Sequence, residues 1–139
     1  MNTQFELSTD KKLIDIDFVH SNIEKSYWGI GRTKEQTAKT IENSLCFGVY
    51  VKNKQVGFAR VVTDYIFFGY FMDVIIAENY QGQGLGKMLV TDMLEHQTIK
   101  NLQTLALKTK DAHEFYEKYE FKKIGDSALW MSIDKQKLN

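Results

Sequence analysis

A mixed α/β fold, one sheet flanked by helices, is what this sequence predicts, and three observations lead there. Three apolar segments rich in aromatic and β-branched residues, LCFGVYV (45–51), QVGFARVVT (55–63) and YIFFGYFMDVIIA (65–77), follow one another with no room for a helix between them. A glycine cluster, QGQGLG (81–86), stands between the last of these and a stretch with helical apolar spacing. A further apolar segment, LQTLALKT (102–109), then completes a strand–helix–strand crossover.

Each element follows in turn. QFELS (4–8) reads as a short first strand. From Asp15 to Tyr27, Val19, Ile23 and Tyr27 recur every four positions, the spacing of one helix face. SYWGIGR (26–32) interrupts it with two glycines. Thr33 with Gln36 forms a capping box, and Ala38, Ile41 and Leu45 mark the apolar side of the helix that follows. KNK joins the next two strands as a hairpin turn. Residues 65–77 are apolar almost throughout, the pattern of a central strand covered on both faces. After the glycines, Leu85, Met88, Leu89 and Met93 form a buried helix face. Asp111 is placed to cap a helix carrying Ala112, Phe115, Tyr116 and Tyr119. FKKIG (121–125) and ALWMSI (128–133) read as two closing strands. The order is β-α-α-β-β-β-α-β-α-β-β. No repeat or linker interrupts it, so residues 1–139 are expected to form one domain.

Composition narrows the function. Hydrophobic residues make up 43% of 139, ample for a core. Eighteen Lys plus Arg balance eighteen Asp plus Glu. That balance argues against nucleic acid as a partner, which needs a basic excess. One cysteine, Cys46, leaves no internal disulfide, and no signal core opens the chain. No apolar run approaches the ~20 residues of a membrane span. The expectation is a cytoplasmic protein, off the membrane, monomeric or homodimeric. Three scattered histidines and one cysteine make no metal site, so no metal is expected. His20 and His96 read as ordinary helix surface. The chain has no proline, and nothing in its function accounts for that.

The glycine cluster carries the chemistry. Between a buried strand and a helix, Gln81, Gly82, Gln83, Gly84, Leu85 and Gly86 turn successive backbone N–H groups into one space. The helix start adds partial positive charge, and Lys87 in the first turn adds a full one. This suits a pyrophosphate; taken alone, the same residues also read as a plain helix-initiating turn. A dinucleotide fingerprint is excluded, because the loop is G-x-G-x-G and not G-x-G-x-x-G. A P-loop is excluded too, because Met88 follows Gly86-Lys87.

Q-G-Q-G-L-G after a strand resembles the acetyl-CoA pyrophosphate loop of the GNAT acetyltransferase superfamily, [RQ]-x-x-G-x-[GA], with Gln81, Gly84 and Gly86 at its defined positions. DAHEFYEKYEF (111–121) resembles the family's A-x-x-[LF]-Y-x-K-x-G-F segment through Ala112, Phe115, Tyr116, Lys118 and Phe121. The inferred element order is similar over nearly the whole chain. Three positions depart from the family. Glu120 replaces the glycine before Phe121, Glu78 stands where proline is common, and Thr109 stands where asparagine is common. Glu120 implies a tighter or strained turn there.

The resemblance implies a GNAT-like fold and an N-acetyltransferase. The acetyl group passes directly from acetyl-CoA to a primary amine of a small molecule or peptide. It also implies that the central strand splays at a bulge and offers backbone from Met72 through Val74, Ile75 and Ile76 to the pantetheine arm. One of those N–H groups would polarise the thioester carbonyl. The loop from Gln81 to Lys87 would hold the pyrophosphate, with Thr109 also on the cofactor side. Tyr116 would protonate the departing thiolate. For the base, the candidates are Asp64, Asp73, Glu78 and His113. Asp73 is the most notable, as an acid in a very apolar strand, where it must be partnered, solvated or shifted in pKa; it reads equally as a structural carboxylate capping the bulge. The segment joining the first two helices would flank the acceptor. There Tyr27, Trp28 and Arg32, with Arg60 and the aromatic run Phe67 to Phe71, suggest an aromatic pocket with an anionic anchor; the alternative is that Tyr27 and Trp28 pack the core and Arg32 sits in solvent. The alternative is a non-catalytic acyl-CoA-binding sensor or regulatory module, which needs the loop but neither Tyr116 nor an open acceptor cleft.

Overall fold

Five strands form one sheet in chain order among residues 4–125 and 127–136, the residues described by the computed structural model. They are β1 (Glu6–Ser8), β2 (Leu45–Val51), β3 (Lys54–Thr63), β4 (Phe68–Ile76) and β5 (Thr104–Leu107). The first four pair antiparallel, while β4 and β5 run parallel. A parallel pair needs a crossover, and α3 (Leu85–Glu95) with the short α4 (Gln97–Lys100) supplies it. Helices α1 (Ile16–Lys25) and α2 (Lys34–Glu42) lie between β1 and β2 in the chain. The chain forms two compact units, residues 1–107 and 108–139. The sheet and the first four helices belong to the first unit, and α5 (His113–Glu117) belongs to the second. No helix among the described residues is long and apolar enough to cross a membrane.

Local chemistry sets the element ends. Asp15 caps α1 by accepting from the N–H groups of Asp17 and Phe18. Thr33 and Gln36 close both hydrogen bonds of the capping box on α2. Lys52 and Asn53 both take positive φ (49° and 65°), as a tight two-residue hairpin demands. Alternation along β2 divides the core between the two faces. Cys46 joins Phe58, Ile75, Val19 and Ile23 on the α1 side. Its neighbour Phe47 meets His96 edge to face at 5.4 Å on the other side.

Four expectations need correction. The strand expected over 65–77 starts only at Phe68, because the Asp64 carboxylate accepts from the N–H groups of Ile66, Phe67 and Phe68 and holds them in a turn. Its faces alternate in burial and are not both covered. On α2 the buried residue is Thr37, whose hydroxyl is bonded to His20 Nδ1 at 2.9 Å, and Ala38 is exposed. In the second unit Thr109, not Asp111, serves the start of α5, its hydroxyl accepting from Ala112 N–H at 3.0 Å. Residues 121–125 and 128–133 form no strand among the described residues. The alternation read there is present, but Leu129, Met131 and Ile133 are 89–94% exposed. A strand exists only through its ladder, and apolar alternation supplies no partner.

Candidate functional site

The sheet opens along β4. Its antiparallel register with β3 runs from Gly69 to Ile76, but its parallel pairing with β5 stops at Phe71. Past Phe71, one edge of β4 has no neighbouring strand among the described residues. Ala77 N–H donates to Val56 C=O, on the β3 side, at 2.8 Å. Successive residues direct their amide groups to opposite edges, so Val74 and Ile76 turn theirs outward, away from β3. The outward carbonyl of Ile76 accepts from Gln81 Nε2 at 3.1 Å. That contact ties the glycine loop to the open edge.

A bulge sits at the head of this edge. Phe58 pairs with Ile75 and Arg60 with Met72, so Asp73 and Val74 together oppose Ala59. Asp73 takes φ 53°, a left-handed conformation unusual for a non-glycine residue.

The loop itself is built by conformation. Gly82 (φ 80°) and Gly84 (φ 81°) are left-handed, and a Cβ at either would meet open space. The backbone angle, not crowding, calls for glycine there. Gly84 is the N-cap of α3 and brings no side chain to it, so no side-chain cap and no acidic group fills the helix's first turn. A ligand oxyanion is the natural acceptor for those N–H groups.

Facing the open edge is the segment after α1. A cleft of about 840 Å³ lies between Asn22, Lys25, Ser26 and Trp28 on one wall and Val74–Asn79 with Gln81 on the other. Gly29 makes the segment's sharp turn possible, since a Cβ there would come within 2.3 Å of the Ile23 carbonyl oxygen. Tyr27 and Trp28 meet edge to face at 5.2 Å. Of the proposed bases, Glu78 stands on the cleft wall, exposed.

Asp73 is the anchor of this wall. Its side chain is fully buried. Oδ1 accepts from Trp28 Nε1 at 2.9 Å, and Oδ2 accepts from Arg32 Nη1 at 2.7 Å and Arg60 Nε at 2.6 Å. Arg60 also donates to Ser44 Oγ at 3.1 Å and reaches Met72 Sδ at 3.4 Å. Burial alone pushes the Asp73 carboxyl up; the hydrogen bonds and charges of Arg32 and Arg60 outweigh it and hold the group below its ordinary value. Such a carboxylate is a poor proton acceptor, which sets the geometry against Asp73 as the base. Asp64 is likewise held low, chiefly by its bonds to the Ile66, Phe67 and Phe68 N–H groups.

The meeting of Arg32, Arg60, Ser44 and Asp73 was not anticipated. The available signal was that Arg32 and Arg60 are the chain's only arginines and that Asp73 is the only charge within β4. In the second unit, Tyr116 is buried on α5, its ring edge to face with Phe115 at 5.0 Å and Phe121 at 5.8 Å. Glu120, where the family has glycine, takes φ 75°. Among the described residues no cluster of His, Cys, Asp and Glu suits a metal ion.

Comparison with known proteins agrees with this architecture. A protein of Xanthomonas campestris pv. campestris, whose crystal structure is described as belonging to the GNAT family, superposes with a TM-score of 0.86. It is 32% identical over 94% of both chains. A Gibberella zeae protein bearing an acetyltransferase name is 26% identical over 81% of this chain and 75% of its own. An acetyltransferase structure from Clostridium acetobutylicum with acetyl-CoA shares the fold at 15% identity, covering 96% of each chain with a TM-score of 0.68. The family profile described as "Acetyltransferase (GNAT) domain" matches residues 42–123. The chain belongs to the GNAT acetyltransferase family.

Proposed function

We propose that residues 1–139 act as one N-acetyltransferase domain, moving the acetyl group of acetyl-CoA directly to a primary amine of a small molecule or peptide. One observation carries this reading: the open edge of β4 lines a cleft, and the Gln81–Ile76 bond ties to that edge the glycine loop that leads into the uncapped first turn of α3. The open space before Gly82 and Gly84 fits a pyrophosphate, and the outward amides of Val74 and Ile76 fit an extended amide-bearing arm. Acetyl-CoA, when bound, supplies an activated thioester. Gln81–Lys87 hold its phosphates by backbone N–H groups and the Lys87 charge. Backbone from Met72 to Ile76 aligns the arm and offers an N–H to the carbonyl oxygen. Thr109 belongs to the cofactor side.

The acceptor enters along Tyr27, Trp28 and Arg32; Arg60, expected beside them, is 5% exposed and spends its donors on Asp73, Ser44 and Met72. Its amine must be neutral to attack, and Glu78 on the cleft wall takes the proton, directly or through water. The new C–N bond forms as the C–S bond breaks. Tyr116 gives its hydroxyl proton to the departing sulfur and regains one from solvent. A thiol of pKa near ~8.5 leaves readily, so this acid contributes at the low end of its usual range.

The test is CoA release across a panel of amines with wild type and Tyr116→Phe. The variant is expected to lose roughly 10- to 100-fold in kcat, with acetyl-CoA affinity by calorimetry unchanged. A wild-type protein that binds acetyl-CoA yet releases no CoA with any amine would instead support the sensor.

A further inference from the structure

We infer that the acceptor amine carries an oxyanion group, a carboxylate or a phosphate, and that Arg32 receives it. This rests on the acetyltransferase reading and deepens it. The chain holds two arginines against sixteen lysines (18 − 2), and both arginines close on Asp73. Two guanidinium charges therefore share one carboxylate. Among the described residues no other carboxylate pairs with either. The surplus positive charge lies at a mostly buried place, where an uncompensated ion is costly.

The two arginines are not equivalent. Arg60 is buried and spends Nε on Asp73, Nη1 on Ser44 and Nη2 toward Met72. Arg32 spends only Nη1, on Asp73. Its side chain is 16% exposed, and Tyr50 Oη is the single buried side-chain N or O left unbonded among the described residues. The remaining Arg32 donors therefore reach solvent. Arg32 also hangs from the same carboxylate as Trp28, whose side lines the cleft. A planar fork, fixed by a buried counter-ion and open on its other edge, is built for bidentate oxyanion capture. Lysine, with its mobile point charge, would serve surface solubility equally well, but it would not serve this geometry.

Matched amine pairs test the inference: an amino acid against its amide, and an aminoalkyl phosphate against the aminoalcohol. Wild type should favour the anionic member of one pair by roughly 10- to 100-fold in kcat/KM, the worth of a charge-assisted hydrogen bond. Which pair responds separates carboxylate from phosphate. Arg32→Met should collapse the ratio toward one, mainly through KM, and Arg32→Lys should restore part of it. An activity-independent arm uses the two arginine Nε–H signals in nitrogen-15 spectra of wild-type protein. Titration with acetate or with inorganic phosphate should move the Arg32 signal to saturation and leave Arg60 nearly still. Equal rates within both pairs, an unchanged ratio in Arg32→Met, or an unmoved Arg32 signal would each overturn the proposal. If no amine is turned over, the acetyltransferase reading fails, and the Arg32 signal still decides whether an oxyanion binds.

Discussion

The glycine loop at 81–86 and the Asp73 cluster each reach the cleft through a single residue, Gln81 and Trp28, but are built in opposite ways. The loop's turn at 81–84 is exposed, held by backbone angles at Gly82 and Gly84, and leads into an uncapped helix start. The cluster is buried, held by side chains from β3, β4 and the segment after α1, and finishes on an ion pair with surplus charge. One is a local solution that six consecutive residues dictate. The other is a tertiary solution that spans Trp28 to Asp73. The difference teaches where each will fail. Damage to the loop should cost ligand affinity, whereas damage to the cluster should cost the fold.

The largest effect is therefore expected at Asp73. Asp73→Ala leaves Arg60 buried without its carboxylate, and breaking a buried pair from one side costs about 3–5 kcal/mol. Urea unfolding should show that loss as a lower midpoint. A change below about 1 kcal/mol would mean the cluster is peripheral to stability.

Gly84→Asp attacks the other region. It puts a negative charge where the pyrophosphate is expected and a Cβ on a left-handed residue. Acetyl-CoA affinity by calorimetry should fall at least tenfold, about 1.4 kcal/mol. If stability fell as far as in Asp73→Ala while affinity held, the contrast between the regions would be lost.

Glu120 sharpens the comparison from a third place, since it takes φ 75° without being glycine. Glu120→Gly should raise stability by about 1 kcal/mol through relief of that strain, seen as a higher melting temperature. No gain would indicate that its side chain offsets the strain.

Acid gives the smallest signal. The folded Asp73 carboxyl lies below its unfolded value, so the unfolded chain binds the extra proton as pH falls. The stability this contributes is complete above about pH 4 and is lost as pH drops through the folded value. At most one proton is involved, or about 1.4 kcal/mol per pH unit. Asp73→Asn should flatten that part of the acid limb in urea titrations at successive pH values. Asp64 is also held low and will keep its own share of the limb in both proteins.

Elements defined by neighbours in the chain were legible from the residues alone. The capping box at Thr33, the hairpin turn at 52–53 and the glycine loop all depend on contacts within about six positions. Their physical causes are side-chain caps and positive φ, each written into a short stretch. Tyr116 was likewise read within a short segment on one helix. What the sequence by itself determined was therefore the order of most elements, the loop's backbone and the family. The tertiary structure alone decided which groups are spent. Asp73 read as an acid near the expected chemistry, and only folding shows three donors already on it. The segment 128–133 read as a strand, and only the sheet shows whether a ladder partner is there. Both turn on groups far apart in the chain, and burial, pairing and charge compensation are properties of that meeting and not of either partner.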